Sequence, residues 1–145
     1  MNVWKMTPAS ARITDGTKEG YPQMKILLNA VQIIVALGLV NVWVLRFGRK
    51  TRYRGGSSET LPGEFATYGL PPWSVWVVGA LKLGCACLFL AGIWLPQTVA
   101  PTAIVLTLLM LGAIFMHVRV RDPLVRSVPA TFMLGMSVFL FWCAI

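Results

Sequence analysis

The sequence predicts an all-α fold, an integral membrane four-helix transmembrane bundle. Four apolar stretches, at about 26–45, 73–95, 99–118 and 128–145, cover more than half of the 145 residues. Each approaches the roughly 20 residues that a helix rising about 1.5 Å per residue needs to cross a hydrocarbon core about 30 Å thick. The chain is also 57% hydrophobic, with a mean hydropathy of +0.70, which no ordinary soluble domain requires. One domain is expected, and the bundle itself is that domain.

In order along the chain, residues 1–24 read as a polar N-terminal extension containing Pro8, Gly16, Gly20 and Pro22, without the apolar core of a secretory signal. Residues 25–145 read as the transmembrane domain. The first span ends in Trp43 and a basic run, and Gly55-Gly56 breaks any continuation. Residues 57–70 read as a polar loop or re-entrant piece carrying Glu59, Glu64, Phe65 and Tyr68. Pro71-Pro72 opens the second helix, where the missing N–H groups do no harm. Pro96-Gln97-Thr98 is short enough to make the second and third helices an antiparallel hairpin, with Thr98 as N-cap and Pro101 in the first turn. Ser127 is expected to cap the fourth helix.

Trp43, Trp73, Trp76, Trp94 and Trp142 lie near span ends and read as an interfacial aromatic belt. The formal net charge is +8, carried mostly at the span ends, so anionic lipid headgroups are the expected partner and not nucleic acid. Arg46, Arg49, Lys50, Arg52, Arg54, Arg119 and Arg121 are the expected headgroup or anion contacts; Arg119, Arg121 and Arg126 read as snorkelling anchors, or as an extension of a polar pocket toward an anion. The first and third connections hold five and three basic residues, against four ahead of the first span and none in 96–98. The positive-inside rule places basic loops 46–72 and 119–127 on the cytoplasmic, matrix or stromal side, with both termini opposite.

Cys85, Cys87 and Cys143 all lie inside spans and read as small hydrophobes, without a CxxC pair or disulfide. Ala80, Gly84, Cys87 and Ala91 recur at helical spacing and form a small-residue seam expected to pack within the bundle. Asn29, Gln32 and Asn41 are expected to hydrogen-bond between helices.

Lys82 is the anomaly. It lies nine residues into the second span, about 13 Å along the helix. A charge at that depth costs at least about 2.5–3.5 kcal/mol, and its side chain leans toward the helix N-terminus. That end also collects Glu64, the single histidine His117, and Asp122. Glu64, Lys82, His117 and Asp122 are therefore the candidate polar pocket, able to hold an anionic or quinone-like headgroup. A structural ion pair tying the second and third helices together is the competing reading. A single histidine cannot supply bis-histidine haem ligation, and HExxH, P-loop and dinucleotide fingerprints are missing. No metal is expected, no catalytic residue is assigned, and a quinone is the one cofactor the cluster suggests.

Gly69-Leu70-Pro71-Pro72-Trp73 with Gly79-Ala80-Leu81-Lys82-Leu83, then Gly112-Ala113, His117, Asp122-Pro123 and Pro129-Ala130, resemble the DoxX-like membrane proteins. The resemblance runs from about Glu64 to the C-terminus, and His-x4-Asp-Pro is its most specific part. It implies a four-helix bundle. Its namesakes resemble subunits of a thiosulfate:quinone oxidoreductase, and distant animal relatives act as assembly chaperones. The family's polar positions fall on Lys82, His117 and Asp122; some relatives carry glutamate at the Lys82 position. Three functions stay open: a non-catalytic subunit or assembly partner of a larger membrane complex, respiratory or redox; a quinone-binding oxidoreductase subunit; and a small-anion transporter, for which four short unbroken helices leave little room. Other membrane protein subunits are the expected protein partners.

Overall fold

The structure, a computed structural model, describes residues 10–145, with side chains from residue 22 onward. All regular structure among the described residues is helical: α1 (Ser10–Val40), a wide π-helical turn (Asn41–Leu45), α2 (Leu61–Thr67), α3 (Ser74–Ala91), a 3-10 turn (Pro96–Thr98), α4 (Val99–Arg119) and α5 (Leu124–Ala144). Four segments are long and apolar enough to cross a membrane: Pro22–Leu45, Ser74–Ala91, Pro96–Arg119 and Leu124–Ala144. The protein is a multi-pass integral membrane bundle.

Several boundaries differ from expectation. Helix α1 begins at Ser10, inside the segment read as a polar extension, whose first nine residues lie outside the described residues. Helix α3 stops at Ala91, and a Cβ on the Gly92 that follows would lie 2.6 Å from the Val99 side chain and 2.8 Å from Gln32 Oε1, so glycine makes room for the hairpin. Thr98 stands at the N-cap of α4, but its hydroxyl donates back to the Leu95 and Leu88 carbonyls and caps nothing ahead of it. Helix α5 starts at Leu124, so Ser127 lies inside it and does not cap it.

The four spans close into a ring. Helix α1 packs on α3 and α5, and α4 packs on α3 and most extensively on α5. Away from the basic loops the ring is filled. Val35, Leu39, Ala86, Phe89, Ala103, Leu106 and Leu140 form a buried core. Thr107 and Ser137 share a hydrogen bond of 3.0 Å between α4 and α5. Asn29, Gln32 and Asn41 make no side-chain hydrogen bond between helices among the described residues, and the Gln32 carbonyl oxygen is buried without a partner.

The small-residue seam does not lie at a helix contact. Ala80 and Cys87 are exposed, Gly84 and Ala91 half-buried, and the space beside Gly84 is open. The inward face of α3 carries Val75, Gly79, Ala86 and Phe89. One residue turns a helix by about 100°, so turning Gly79 and Phe89 inward swings the seam toward lipid. Trp43 likewise leaves the interfacial belt. The turn at Asn41–Leu45 carries it inward, where it is 7% exposed and lies against α3 at Gly79. Trp73, Trp76, Trp94 and Trp142 are exposed at the span ends, as the aromatic belt requires.

A Cβ on Gly79 would stand 2.8 Å from the Trp43 ring, whereas one on Gly84 would meet nothing within 4 Å. Gly79→Ala is expected to destabilise the bundle by about 1–3 kcal/mol through overpacking. Gly84→Ala is expected to stabilise it by up to about 1 kcal/mol through helix propensity. Denaturant unfolding of the two variants in mixed micelles measures both.

Candidate functional site

The basic-loop end of the bundle is polar, and two helix terminations build it. Helix α2 starts at Thr60, whose hydroxyl accepts from the Gly63 N–H, and it ends in Gly69 at φ 72°. The Gly69 N–H bonds the Ala66 carbonyl and the Leu70 N–H bonds the Phe65 carbonyl, each at 3.0 Å, a Schellman ending. Glu64 and Tyr68, four residues apart, therefore share one face of this short helix and turn inward.

Helix α4 ends the same way. Arg121 takes the left-handed position at φ 57°. The Arg121 N–H reaches the Val118 carbonyl at 3.0 Å and the Asp122 N–H reaches the His117 carbonyl at 2.9 Å. That backbone closure folds Asp122 back over His117, and their side chains meet at 2.8 Å between Nδ1 and Oδ2. The His-x4-Asp spacing is thus the spacing of a Schellman ending, and Pro123 follows where the helix can no longer continue.

These pieces join into one buried network. The Arg54 guanidinium donates to Glu64 Oε2 at 3.1 Å and to the Arg46 carbonyl. Glu64 Oε1 also accepts from the Gly55 N–H at 2.9 Å and the Tyr68 hydroxyl at 2.8 Å. The Tyr68 oxygen lies 3.2 Å from His117 Nδ1. The shorter contact to Asp122 assigns the Nδ1–H to that carboxylate, and the phenol proton then belongs to Glu64. Asp122 Oδ1 accepts from the Gly56 N–H at 2.9 Å and from Arg126. Arg126 also bonds the Gly56 carbonyl, so it ties the first loop to the start of α5.

Gly55-Gly56 does more than stop a helix. A Cβ on Gly55 would lie 2.2 Å from the Tyr68 hydroxyl, and Gly56 has φ 59°. Only glycine lets the loop backbone come this close to the phenol.

Burial pushes the Tyr68 phenol well above its usual range, and the neighbouring Glu64 charge and hydrogen bond push the same way, so it stays a proton donor. For Asp122, burial alone would raise the pKa. The hydrogen bonds from His117, Gly56 and Arg126, with the Arg126 charge, outweigh it and hold the carboxyl below its ordinary value.

Of the four residues expected to form a pocket, Glu64, His117 and Asp122 are joined. Lys82 is not in the network. It stands across a cavity of about 610 Å³ whose lining includes Lys82, Trp43, Glu64, Tyr68, His117 and Arg126, with Val78, Met110, Met116 and Met133 as apolar wall. Lys82 Nζ lies 5.3 Å from the centre of the Trp43 ring, a cation–π contact. Among the described residues the ammonium has no hydrogen-bond acceptor and no ion-pair partner. The cavity also touches Arg46 at the loop end and Leu108 and Gly112 on the exposed side of α4, so it reaches both the membrane surface and the lipid.

Arg54 corrects one expectation. Its place in the basic loop predicts a headgroup contact, but it is 5% exposed and committed to Glu64. Arg46, Arg49, Lys50, Arg52, Arg119 and Arg121 are exposed, and Lys50 pairs with Glu59 at 2.7 Å on the surface, which contributes little. Tyr68, Trp43 and Arg54 are the site residues that the sequence reading does not place in the polar pocket. Tyr68 follows Glu64 by one helical turn, and that spacing was the available signal.

A sequence profile of the DoxX-like family matches residues 56–140, more than half of the chain. The chain belongs to the DoxX-like family. The DoxX-like region takes in Glu64, Tyr68, Lys82, His117, Asp122 and Arg126, while Trp43 and Arg54 come from outside it. No curated protein and no solved structure matches the chain.

Two outcomes follow from the network. Arg54→Met leaves the buried Glu64 charge unpaired and is expected to cost about 3–5 kcal/mol, with part recovered in the Arg54→Met/Glu64→Leu double variant; denaturant unfolding in mixed micelles reads both. The folded pKa of Asp122 lies below its unfolded value of about 3.9. Its contribution is therefore complete above the unfolded pKa and is lost as pH falls through the folded one. Asp122→Asn is expected to flatten this acid limb in a stability–pH profile between about pH 2 and 5.

Proposed function

We propose that this DoxX-like protein is a membrane subunit that holds a quinone-like molecule within its bundle, as part of a larger redox complex. The observation that carries this is the cavity of about 610 Å³ inside the span region. Its size falls in the range of sites that enclose small ligands, roughly 300–1,000 Å³, and it combines apolar walls with a few convergent polar groups. Lys82 Nζ offers N–H donors to a carbonyl oxygen of the head, while the Tyr68 oxygen and His117 Nε2 stand by as acceptors for a hydroxyl of its reduced form. The opening past Leu108 and Gly112 lets an apolar tail run into the bilayer.

A quinone, when bound, would supply the electron-accepting chemistry. The chain's own residues would surround the head with the apolar walls of Met110, Met116 and Met133 and present the Lys82 N–H donors to it. The basic loops 46–72 and 119–127 then face the cytoplasm, matrix or stroma, as their exposed arginines favour.

A second observation supports association with other membrane chains. The seam of Ala80, Gly84, Cys87 and Ala91 faces outward, where it gives lipid little to pack on and leaves room for a close helix approach. This fits the subunit or assembly-partner role whether or not the cavity is filled.

Native mass spectrometry of protein extracted gently from its own membrane tests both. The expected result is other chains at fixed stoichiometry and a quinone-sized mass that disappears in Lys82→Ala. A bare species in native and variant protein alike would count against the quinone reading. Gly84→Leu is expected to release the partner chains while leaving the bound small molecule in place.

A further inference from the structure

We propose that the cavity selects a lipophilic ligand with one negatively charged oxygen head, a long-chain carboxylate being the simplest, and that Lys82 is its counter-charge. This rests on the cavity being a binding site, as proposed above, and adds the charge and form of the occupant.

Charge accounting at the polar end carries the inference. Arg54 pairs with Glu64 and Arg126 with Asp122, so two guanidinium–carboxylate pairs close on themselves. Each carboxylate is also taken up by backbone N–H groups and by Tyr68 or His117. Lys82 is the formal charge left over. Its ammonium has three N–H donors and faces only the Trp43 ring, at 5.3 Å. A π face attracts a cation but takes up few of its hydrogen bonds. The group stands in the wall of the cavity, near the middle of α3, well inside the span.

The rest of the cavity supports the same sign. Arg46 stands at its loop end and adds positive charge to the entrance. Glu64 also borders the space, but its oxygens are held by Arg54, the Gly55 N–H and Tyr68, so it is not left to neutralise Lys82. An anionic oxygen seated at Lys82 would accept the unused N–H groups, and its attached chain would lie along Val78 and Met110 toward the lipid-facing opening at Leu108. A neutral head leaves the ammonium hydrogen-bonded but uncompensated in charge.

The test compares dodecanoate, methyl dodecanoate, acetate and a short-tailed neutral quinone by calorimetric titration of the full chain in maltoside micelles. A charge-assisted hydrogen bond implies about a tenfold or larger preference for dodecanoate over its methyl ester. Lys82→Met is expected to bring that ratio close to one, and Lys82→Arg to keep it, with unfolding curves showing that both variants are folded. Acetate, which has the head without the tail, is expected to bind far more weakly than dodecanoate. Equal binding of acid and ester, or an undiminished ratio in folded Lys82→Met, overturns the counter-charge role. Acetate binding as tightly as dodecanoate overturns the lipophilic class. If the quinone and the ester bind as well as the acid, the binding site stands and only this inference falls. If none of the probes binds, both fall.

Discussion

The polar end of this bundle is governed by the cost of burying charge where water is scarce. Two carboxylates, Glu64 and Asp122, lie under the first loop, and neither is left to a single partner. Each is met by a guanidinium, a loop N–H and a ring-bearing side chain. Because the donors come from the loop after α1, from α2, from the end of α4 and from the start of α5, satisfying two acids pins every connection on that side. Loop 46–60 is long and rich in basic residues, yet Arg54, Gly55 and Gly56 give it fixed points. The network is a clamp on the loops as much as a candidate site.

The two ends of the bundle solve different problems. At the hairpin end, Phe89, Leu106, Leu140 and small residues fill the space between helices, as dispersion-driven packing in lipid requires. At the loop end, the wide turn at Asn41–Leu45 and the bulk of Trp43 hold α1 and α3 around a hollow. Gly79 leaves room for the edge of the indole against α3, and Lys82, nearly one turn further on, stands over the ring. A lysine that would be a liability against lipid becomes part of an interior wall.

The spans were legible in the sequence because solvation by lipid imposes a length and an apolar composition that few other contexts share. The grouping of Glu64, His117 and Asp122 was legible too, because all three fall at helix ends on one side. What could not be read was rotation. Which face of α3 turns inward depends on contacts with α1, so Ala80, Gly84, Cys87 and Ala91 looked like packing and stand outside. Trp43 and Arg54 sit where an anchor belongs by position alone. A π turn and a buried glutamate draw them inward, and neither leaves a local pattern. Tyr68 was within reach, since it lies one turn from Glu64 on a helix too short to announce itself by periodicity.

The ending of α4 has a consequence for how this site can vary. His117 and Asp122 are joined twice, by a backbone bond and by their side chains, and the backbone bond spans a set number of peptide units. The segment works as a ruler. The letters at positions 118–121 can be rewritten, at most trading strain at Arg121 for the ease of glycine. Their number cannot change, because one residue more or fewer would turn Asp122 away from the ring and strand Arg126 and Gly56 with it.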